Sequence, residues 1–592
     1  MNKLKLYSFV IILLTLSVAS TKCQSVDGLI KDTFAGFQQE TTAFTRPEQQ
    51  SSTSNNNNLL RTSTNRFERP KQFDQRICDV IAKNVLNFAR LLGAQLNSLE
   101  RSEIFSPLSI MSALSLLTLG AKGRSYQELK QMIGLDNDSE LMSNPQKFYT
   151  EFALMLEEIQ HMQENDSKER TRKKTNWRTT NFKNSPTRQT TNSRNQPAAE
   201  HVIRIANGIF IQNDYALNPN YKQIVTSLYD SELTQLDYER YPRESRDYIN
   251  AWVNTNTRGK ISKIISGNIP ANTNILLASV LYFKGFWETS FFPRATNEQN
   301  FYQDGAYSPP LKVQLMATGG VFPFYDAKEY DCRVIGLPYK GNETTMYVIQ
   351  PNNSTRQKLR DLQYSLDAEK IDNMIEKMVG KTTVMVFPKM HFTQDFNMRS
   401  LLQRLGVRDI FNSATSDLSL IGDVSQYTSK GAPVTKLHSV QMRRPIGSSS
   451  LEQEYLDRYN EPALVFSSRI GELNEDSTNS EMNLNETSIL IRRRRQANYL
   501  QQDFNAEALT HLEEERLSTQ GYRSDLFVDE IIHKVDFTVD EQGTEAAAAT
   551  LTYLRRSGTD VVFRGDTPFL VLIRHDPTKL PLFYGIINKP EL

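Results

Sequence analysis

The sequence predicts an α+β fold in which large, mainly antiparallel sheets are surrounded by helices. Apolar residues at helical spacing dominate the first third of the ordered chain, and short apolar runs of strand length dominate the rest. Subtracting the polar low-complexity stretches from the 592 residues leaves about 400, which is enough for one domain with a large core.

The amino-terminal segment has the build of a cleavable secretory signal, predicted over residues 1–23. Lys3 and Lys5 precede an apolar run at 6–18 that is too short to span a bilayer, and small or polar residues follow it. Residues 24–72 are rich in Gln, Thr, Ser and Asn, which predicts a disordered polar extension. The protein is therefore expected to be secreted and extracellular.

Charge and cysteine content limit the partners and the kind of fold. The net charge is +1, from 69 basic and 68 acidic residues, so a charge-driven partner needs a local patch, and neither nucleic acid nor a membrane is expected. We expect a monomer. Only Cys23, Cys78 and Cys332 are present, so the fold does not depend on disulfides, and pairing of Cys78 with Cys332 stays open.

The ordered domain, residues 73–592, begins with a helix whose apolar stripe runs from Ile77 to Leu92. Ser106 followed by Pro107 predicts an N-cap and a first helical residue, and the helix that they open ends at Gly120. Strands are predicted from the apolar runs at 205–212, 276–283, 344–350, 383–387, 535–539, 569–573 and 583–587.

Two polar segments interrupt this pattern and are predicted to be insertions, at 163–200 and at about 425–523. The first contains nine Lys or Arg residues against four Asp or Glu, and its densest cluster is Lys168, Arg170, Arg172, Lys173 and Lys174. The second carries the consecutive residues Arg492, Arg493, Arg494 and Arg495. Irregular chain of this length is uncommon inside a compact domain unless it is inserted.

A segment near the carboxyl end, DEQGTEAAAATLTYLRR at 540–556, follows an alternating strand. Its alanines permit a short surface helix, but it lacks an apolar stripe and lies between two strand-like segments, which favours a long exposed loop. As an added strand it would place on one face Thr544, Ala546, Ala548, Thr550 and Thr552. Small side chains on an inward face can enter a sheet without overpacking it.

This segment and several scaffold motifs resemble the serpin family. EQGTEAAAAT resembles the family's reactive-loop hinge, and the motifs that follow the family order are FSPLSI (105–110), WVNTNTRGKI (252–261), LYFKGFWETSF (281–291), LPYKG (337–341), HKVDFTVDE (533–541) and PFLVLIRH (568–575). The implied hinge residues are Glu541, Gly543, Thr544, Glu545, Ala546, Ala547, Ala548, Ala549 and Thr550.

The resemblance implies a serpin fold with an exposed reactive loop and a suicide-type inhibitor of trypsin-like serine proteases. A protease would cleave the loop, and the freed loop would insert into the central sheet before the covalent acyl-enzyme hydrolyses. This implies no enzyme activity, catalytic residue, cofactor or metal, and the common nucleophile, metalloprotease and nucleotide-binding motifs do not occur in the sequence. Serpins that serve as carriers, chaperones or storage proteins are the alternative, but their hinges typically carry bulky, charged or proline residues, unlike Thr544 and the four alanines here.

The resemblance also assigns roles inside the scaffold. Ser106, Ser109 and His533 match a polar cluster under the central sheet, where the strands must part. Ser279 stands where the family usually has asparagine, and because serine reaches less far, a water is expected to fill the gap. Trp287 matches the family's tryptophan near the point where the loop enters the sheet.

The predicted scissile bond joins Arg556 to Ser557. The commonest serpin spacing from Gly543 would place the cut one residue later, after Ser557. Arginine, however, fills an acid-floored trypsin-like pocket with a bidentate contact, whereas serine offers that pocket almost nothing. Arg555 is the alternative primary residue.

Three kinds of surface site are also predicted. Related serpins sometimes bind sulfated glycosaminoglycans near the position of the 168–174 basic cluster, although a solvated tether is the alternative. The run Arg492–Arg495 suits a furin-like processing protease, or it is a solvated charge run. Sequons predict glycosylation at Asn137, Asn165, Asn342, Asn352, Asn353 and Asn485.

Overall fold

The computed structural model describes residues 74–96, 98–161, 202–305, 308–423, 505–518, 525–541 and 558–591. The predicted signal and polar extension, the basic insertion at 163–200 and residues 424–504 of the second insertion lie outside these ranges. The described residues belong to one compact unit, Phe73–Leu592.

Helices occupy most of the first part of the chain. Their bounds are α1 (Gln75–Leu96), α2 (Pro107–Gly120), α3 (Gly123–Met132), α4 (Ser139–Ser143), α5 (Pro145–His161), α6 (Pro219–Gln223), α7 (Pro242–Asn256), α8 (Arg356–Ser365), α9 (Ala368–Glu376), α10 (Met398–Arg404) and α11 (505–517). The predicted cap of α2 is confirmed, because the Ser106 side chain accepts the Ser109 backbone N–H and Pro107 is the first helical residue.

Among the residues that the structure describes, the larger sheet has nine strands. They are β1 (Glu103–Phe105), β6 (Asn297–Phe301), β7 (Leu311–Ala327), β8 (Cys332–Pro338), β9 (Thr344–Pro351), β10 (Val379–Pro388), β14 (Val561–Arg564), β15 (Phe569–His575) and β16 (Leu580–Ile587). The order is β1-β16-β15-β9-β8-β7-β10-β14, with β6 also paired to β7. All pairs are antiparallel except β10 with β14.

The second sheet has five strands, β2 (Val202–Gln212), β4 (Glu232–Leu236), β5 (Ile275–Lys284), β11 (Met390–Asn397) and β13 (Val528–Val539). Its order is β11-β13-β5-β2-β4, and the pairs β13–β5 and β2–β4 are parallel. A small sheet pairs β3 (Ala216–Leu217) with β12 (Gly422–Asp423). The α+β class with mainly antiparallel sheets is therefore confirmed.

Helix α2 lies at the centre of this arrangement. Every one of its residues is buried, and it contacts β16 of the larger sheet and β2 and β5 of the five-stranded sheet. The opposite face of the five-stranded sheet is covered by α7, through a separate apolar cluster that includes Phe210, Ile249, Val253 and Ala278. The five-stranded sheet is thus packed on both faces, with α2 beneath it.

The structure corrects one expectation and decides another. The second insertion was expected to be irregular chain up to about residue 523, but residues 505–517 form α11, which buries Ala508, Leu509 and Leu512 against the core. Cys78 and Cys332 are both free and buried, so they do not pair. The Cys78 sulfur lies 3.8 Å from Glu151 Oε2, and the Cys332 sulfur lies 3.8 Å from Met374 Sδ.

Candidate functional site

The seam between β5 and β13 is the candidate site. These strands pair in parallel, with a register that runs from Val528 opposite Ile275 to Asp536 opposite Tyr282. Parallel pairing is slightly less stable per residue than antiparallel pairing. A strand that entered the seam antiparallel to both neighbours would replace one parallel pair with two antiparallel pairs.

His533 lies within this seam, directly opposite Ser279. The Ser106 backbone N–H donates to His533 Nε2 at 3.0 Å, and His533 Nδ1 lies 3.1 Å from the Ser279 carbonyl oxygen. The Ser109 hydroxyl is 3.5 Å from the same Nδ1 atom. All four side chains are fully buried, so the structure brings together the four residues that the resemblance assigned to one cluster.

These partners decide the protonation state of His533. An amide N–H can only donate, so Nε2 accepts, and a carbonyl oxygen can only accept, so Nδ1 carries the ring proton. Burial lowers the pKa of His533 to about 3, against the opposing effect of the Ser279 carbonyl. A neutral imidazole therefore joins β13 to both β5 and the start of α2.

Two members of the cluster were not predicted from the sequence. Asn207 on β2 lies opposite Ser279, and its Nδ2 donates to Ser112 Oγ of α2 at 3.0 Å. Asn207 Oδ1 and Ser279 Oγ are both buried without a hydrogen-bond partner. The available signal was a polar residue at a position flanked by apolar residues in each of two mainly apolar segments, IRIANGIFIQ and PLSIMSALSLLTLG.

Trp287 contacts the chain just beyond the carboxyl end of β13. The indole Nε1–H donates to the Asp540 carbonyl oxygen at 2.9 Å, and the ring stacks on Tyr339 with centroids 4.4 Å apart and planes 17° from parallel. Both aromatic side chains are buried. The tryptophan that the resemblance placed near the loop entry thus contacts the chain just before the hinge.

Glu541, the first hinge residue, is also tethered. Its carboxylate accepts hydrogen bonds from Lys389 Nζ and Thr296 Oγ1, each at 2.8 Å. Partial burial raises the pKa of Glu541, but these two bonds, a backbone hydrogen bond and the charge of Lys389 together outweigh it, so the pKa is lowered. An ionised Glu541 therefore connects the hinge to Lys389, immediately before β11, and to the residue before β6.

The other hinge residues, Gly543 to Thr550, and the predicted reactive residues Arg555, Arg556 and Ser557 lie outside the described residues. The next described residue is Gly558, whose φ of 74° lies in the left-handed region that favours glycine. The Asp560 N–H donates to the Thr382 carbonyl at 2.8 Å, and the Thr382 N–H donates to the Asp560 carboxylate at 3.0 Å. Residues 542–557 thus connect two anchored points.

Some of the remaining predicted sites lie on the described surface, and the others lie outside the described residues. Asn137, Asn342 and Asn353 are exposed, and half-buried Asn352 donates from Nδ2 to Asp331 at 3.1 Å. Asn165, Asn485, the basic cluster at 168–174 and Arg492–Arg495 are outside the described ranges.

Over the part of the chain that the structure describes, no group of three or more His, Cys, Asp or Glu side chains is placed to hold a metal ion. No helix in the same ranges is long and apolar enough to cross a membrane.

Comparisons with known proteins agree with this geometry. A family model described as Serpin (serine protease inhibitor) matches residues 83–437 and 499–590, so α11 falls in the matched part. The chain is 40% identical over 518 residues to Serine protease inhibitor 28Dc of Drosophila melanogaster, covering 87% of this chain and 81% of that protein. It is 26% identical over 334 residues to Iripin-2 of Ixodes ricinus, covering 56% and 73%.

The fold is also similar to a crystal structure of Manduca sexta serpin-12. The TM-score is 0.55 at 20% identity, covering 86% of this chain and 99% of that one. The match of the family model over most of the chain, the similarity to the Drosophila inhibitor and the five-stranded sheet with its closed seam together show that this chain belongs to the serpin family.

Proposed function

We propose that this protein is a suicide-type inhibitor of trypsin-like serine proteases. The observation that carries the proposal is the parallel β5–β13 pair, with residues 542–557 tethered at the end of β13. That segment is nearly twice as long as the paired stretch of β13, 528–536. Once cut near its far end, it is long enough to fill the seam.

The chemistry at the bond belongs to the protease. Its serine attacks the carbonyl carbon of Arg556, the C–N bond to Ser557 breaks, and the Ser557 amine leaves with a proton from the protease's histidine. The freed loop then turns back and enters the seam as a strand. Because it enters before water reaches the ester, the protease stays attached through Arg556 as an acyl-enzyme.

The side chains along the loop support entry rather than simple cleavage. Thr544, Ala546, Ala548 and Thr550 would face one side of the sheet, and each is small enough to pass over α2 without overpacking. A bulky or charged residue at these positions would stall the strand, and the protease would then hydrolyse the ester and escape.

The direct test is incubation with trypsin followed by a denaturing gel. We expect a covalent complex that survives denaturant, with loss of the short fragment that begins at the cut. Thr544→Arg is the matched control, since it leaves the scissile bond unchanged and should convert the protein into an ordinary substrate. Cleavage of the unaltered protein without any complex would instead support a carrier or storage role.

We also propose secretion, because of the segment at 1–23, and glycosylation at the exposed sequons, because Asn137, Asn342 and Asn353 are accessible. Enzymatic removal of N-linked glycans from secreted material should lower its mass, and an unchanged mass would contradict glycosylation. We propose that the 168–174 basic cluster binds a sulfated glycosaminoglycan. We propose that a furin-like protease cleaves the chain at Arg492–Arg495.

A further inference from the structure

Helix α11 docks on the carboxyl end of the buried helix α2 through one arginine. Arg516 Nη2 donates to the carbonyl oxygens of Thr118 and Leu119, at 3.1 and 2.8 Å, and its Nε donates to Ala121 at 3.1 Å. The guanidinium also lies 4.2 Å from the ring centroid of Tyr126 and pairs with Glu513. Its side chain is only 5% exposed.

The capping is reciprocal. Lys122, two residues beyond the end of α2, donates from Nζ to the carbonyl oxygens of Glu515 and Ser518, at 2.8 and 3.3 Å. Each helix end therefore has its carbonyl groups satisfied by a cation from the other segment, and a cation at a helix carboxyl end also interacts favourably with the helix dipole.

This capping matters because α2 is buried along its whole length. The last carbonyls of a helix need partners, and water is not available to a fully buried end. Space is tight there as well, since a β-carbon added at Gly120 would lie 2.2 Å from an Ile421 side-chain atom. Arg516 therefore donates three hydrogen bonds to backbone carbonyl groups, more than any other described side chain at this end of α2.

The opposite end of α2 holds the seam. Ser106 and Ser109, in its first turn, contact His533 of β13. A helix of this length is a rod of about 21 Å, so an arrangement that fixes its carboxyl end limits how its amino end can shift when β5 and β13 part. Along the chain, β13 begins at Val528, twelve residues after Arg516.

We infer that Arg516 is a positioning residue for strand insertion: with α11 it holds α2 in place and so opposes the parting of β5 and β13. The inference rests on the proposed function, because it concerns the sheet opening that inhibition requires. Loosening this contact should make the seam open more readily, before any protease is involved.

The experiment measures uptake of a synthetic peptide with the 544–550 sequence, TEAAAAT, by the intact full-length protein. We expect Arg516→Met, which keeps the aliphatic stem, to take up the peptide about fivefold faster or more. Arg516→Lys, which keeps the charge but loses the planar fork, should fall between it and the unaltered protein. Arg240→Met is the control, because Arg240 is an exposed arginine two residues before α7 with a weak 4.0 Å contact to Asp237.

A second measurement separates positioning from general stability. Loss of the cap should lower the thermal stability of the loop-cleaved form, in which the strand is already inserted, less than that of the native form. The inference would be overturned if Arg516→Met took up the peptide at the rate of the unaltered protein. It would also be overturned if the substitution destabilised the cleaved form as much as the native form. If the unaltered protein takes up no peptide and gains no stability on loop cleavage, the proposed function itself fails.

Discussion

Asn207 and Ser279 lie opposite each other on β2 and β5, and each keeps one buried oxygen without a hydrogen-bond partner. An unsatisfied buried polar group costs about 1–3 kcal/mol. An asparagine at position 279 could donate from its side-chain amide to Asn207 Oδ1, which the serine hydroxyl does not reach.

Ser279→Asn should therefore slow the spontaneous conversion of the protein to an inserted or polymeric state on mild heating, by about fivefold for a gain of about 1 kcal/mol. Ser279→Ala is the control, since it removes the unpartnered hydroxyl without adding a donor. Conversion of Ser279→Asn at a rate equal to or faster than that of the unaltered protein would contradict this prediction.

The native state should lose stability in mild acid because of His533. Burial lowers the pKa of His533 to about 3 in the folded protein, whereas an unfolded histidine titrates near 6.5. Between these values the unfolded chain binds a proton that the native protein does not, so this contribution is complete above about pH 6.5 and falls by about 1.4 kcal/mol per unit as the pH drops.

The measurement is the urea midpoint of the native protein between about pH 7 and about pH 5. The variant His533→Gln should be less stable at neutral pH, but its midpoint should depend less steeply on pH. Parallel curves for the two proteins would show that another group sets the acid response.

Arg556→Ala should abolish inhibition of trypsin while leaving the fold intact. Removing one partner of a buried, hydrogen-bonded charge pair costs about 2–5 kcal/mol, so complex formation should slow by roughly thirtyfold or more. Arg555→Ala is the control and should retain inhibition. Inhibition that survives in Arg556→Ala, with the cut mapped by mass spectrometry after Arg555 or Ser557, would refute the assignment.

Replacing the basic cluster should weaken heparin binding and reduce its salt dependence, because the binding of an anionic chain by exposed cations is screened by salt. The variant changes to alanine Lys168, Arg170, Arg172, Lys173 and Lys174. A control variant changes the dispersed cations of the same segment, Arg178, Lys183, Arg188 and Arg194. Unchanged elution of the first variant from a heparin column would support the solvated tether.

Processing at Arg492–Arg495 should yield two fragments on a denaturing gel and one particle under native conditions. The carboxyl-terminal fragment would remain assembled because it contributes β13 between β5 and β11, and β15 and β16 inside the larger sheet. Secreted material that runs as one full-length band would exclude complete processing. Fragments that persist when all four arginines are replaced by glutamine would show that the cleavage lies elsewhere.

Local features of this protein could be predicted from the sequence, and long-range pairings could not. The Ser106–Pro107 cap depends on adjacent residues and was predicted correctly. The parallel register of His533 opposite Ser279 joins segments 254 residues apart, and no local pattern specifies it. The resemblance, rather than periodicity, grouped these two residues.

Two features of the protein were not predicted from the sequence, the role of Asn207 and helix α11. Asn207 is one of three polar residues in the mainly apolar strand β2, and its role is evident only from the pairing of β2 with β5 and the contact with Ser112. Helix α11 was not predicted, because the stability of a short helix comes from packing. Here that packing is provided by Ala508, Leu509 and Leu512 in the core and by Arg516 at the end of α2.

Both described flanks of residues 424–504 are anchored to the core, on one side by β12 and on the other by α11, whose first residue Asn505 accepts a hydrogen bond from Ser227 Oγ at 2.6 Å. Asp423, in β12, pairs with Ala216, and α11 returns beside Asn218, which donates to Glu515 at 2.8 Å. Because both flanks of residues 424–504 are anchored, doubling the length of the chain between them would cost only about 0.6 kcal/mol in loop-closure entropy. This position is therefore suited to accept a foreign domain or a reporter, with the reactive loop left free to act.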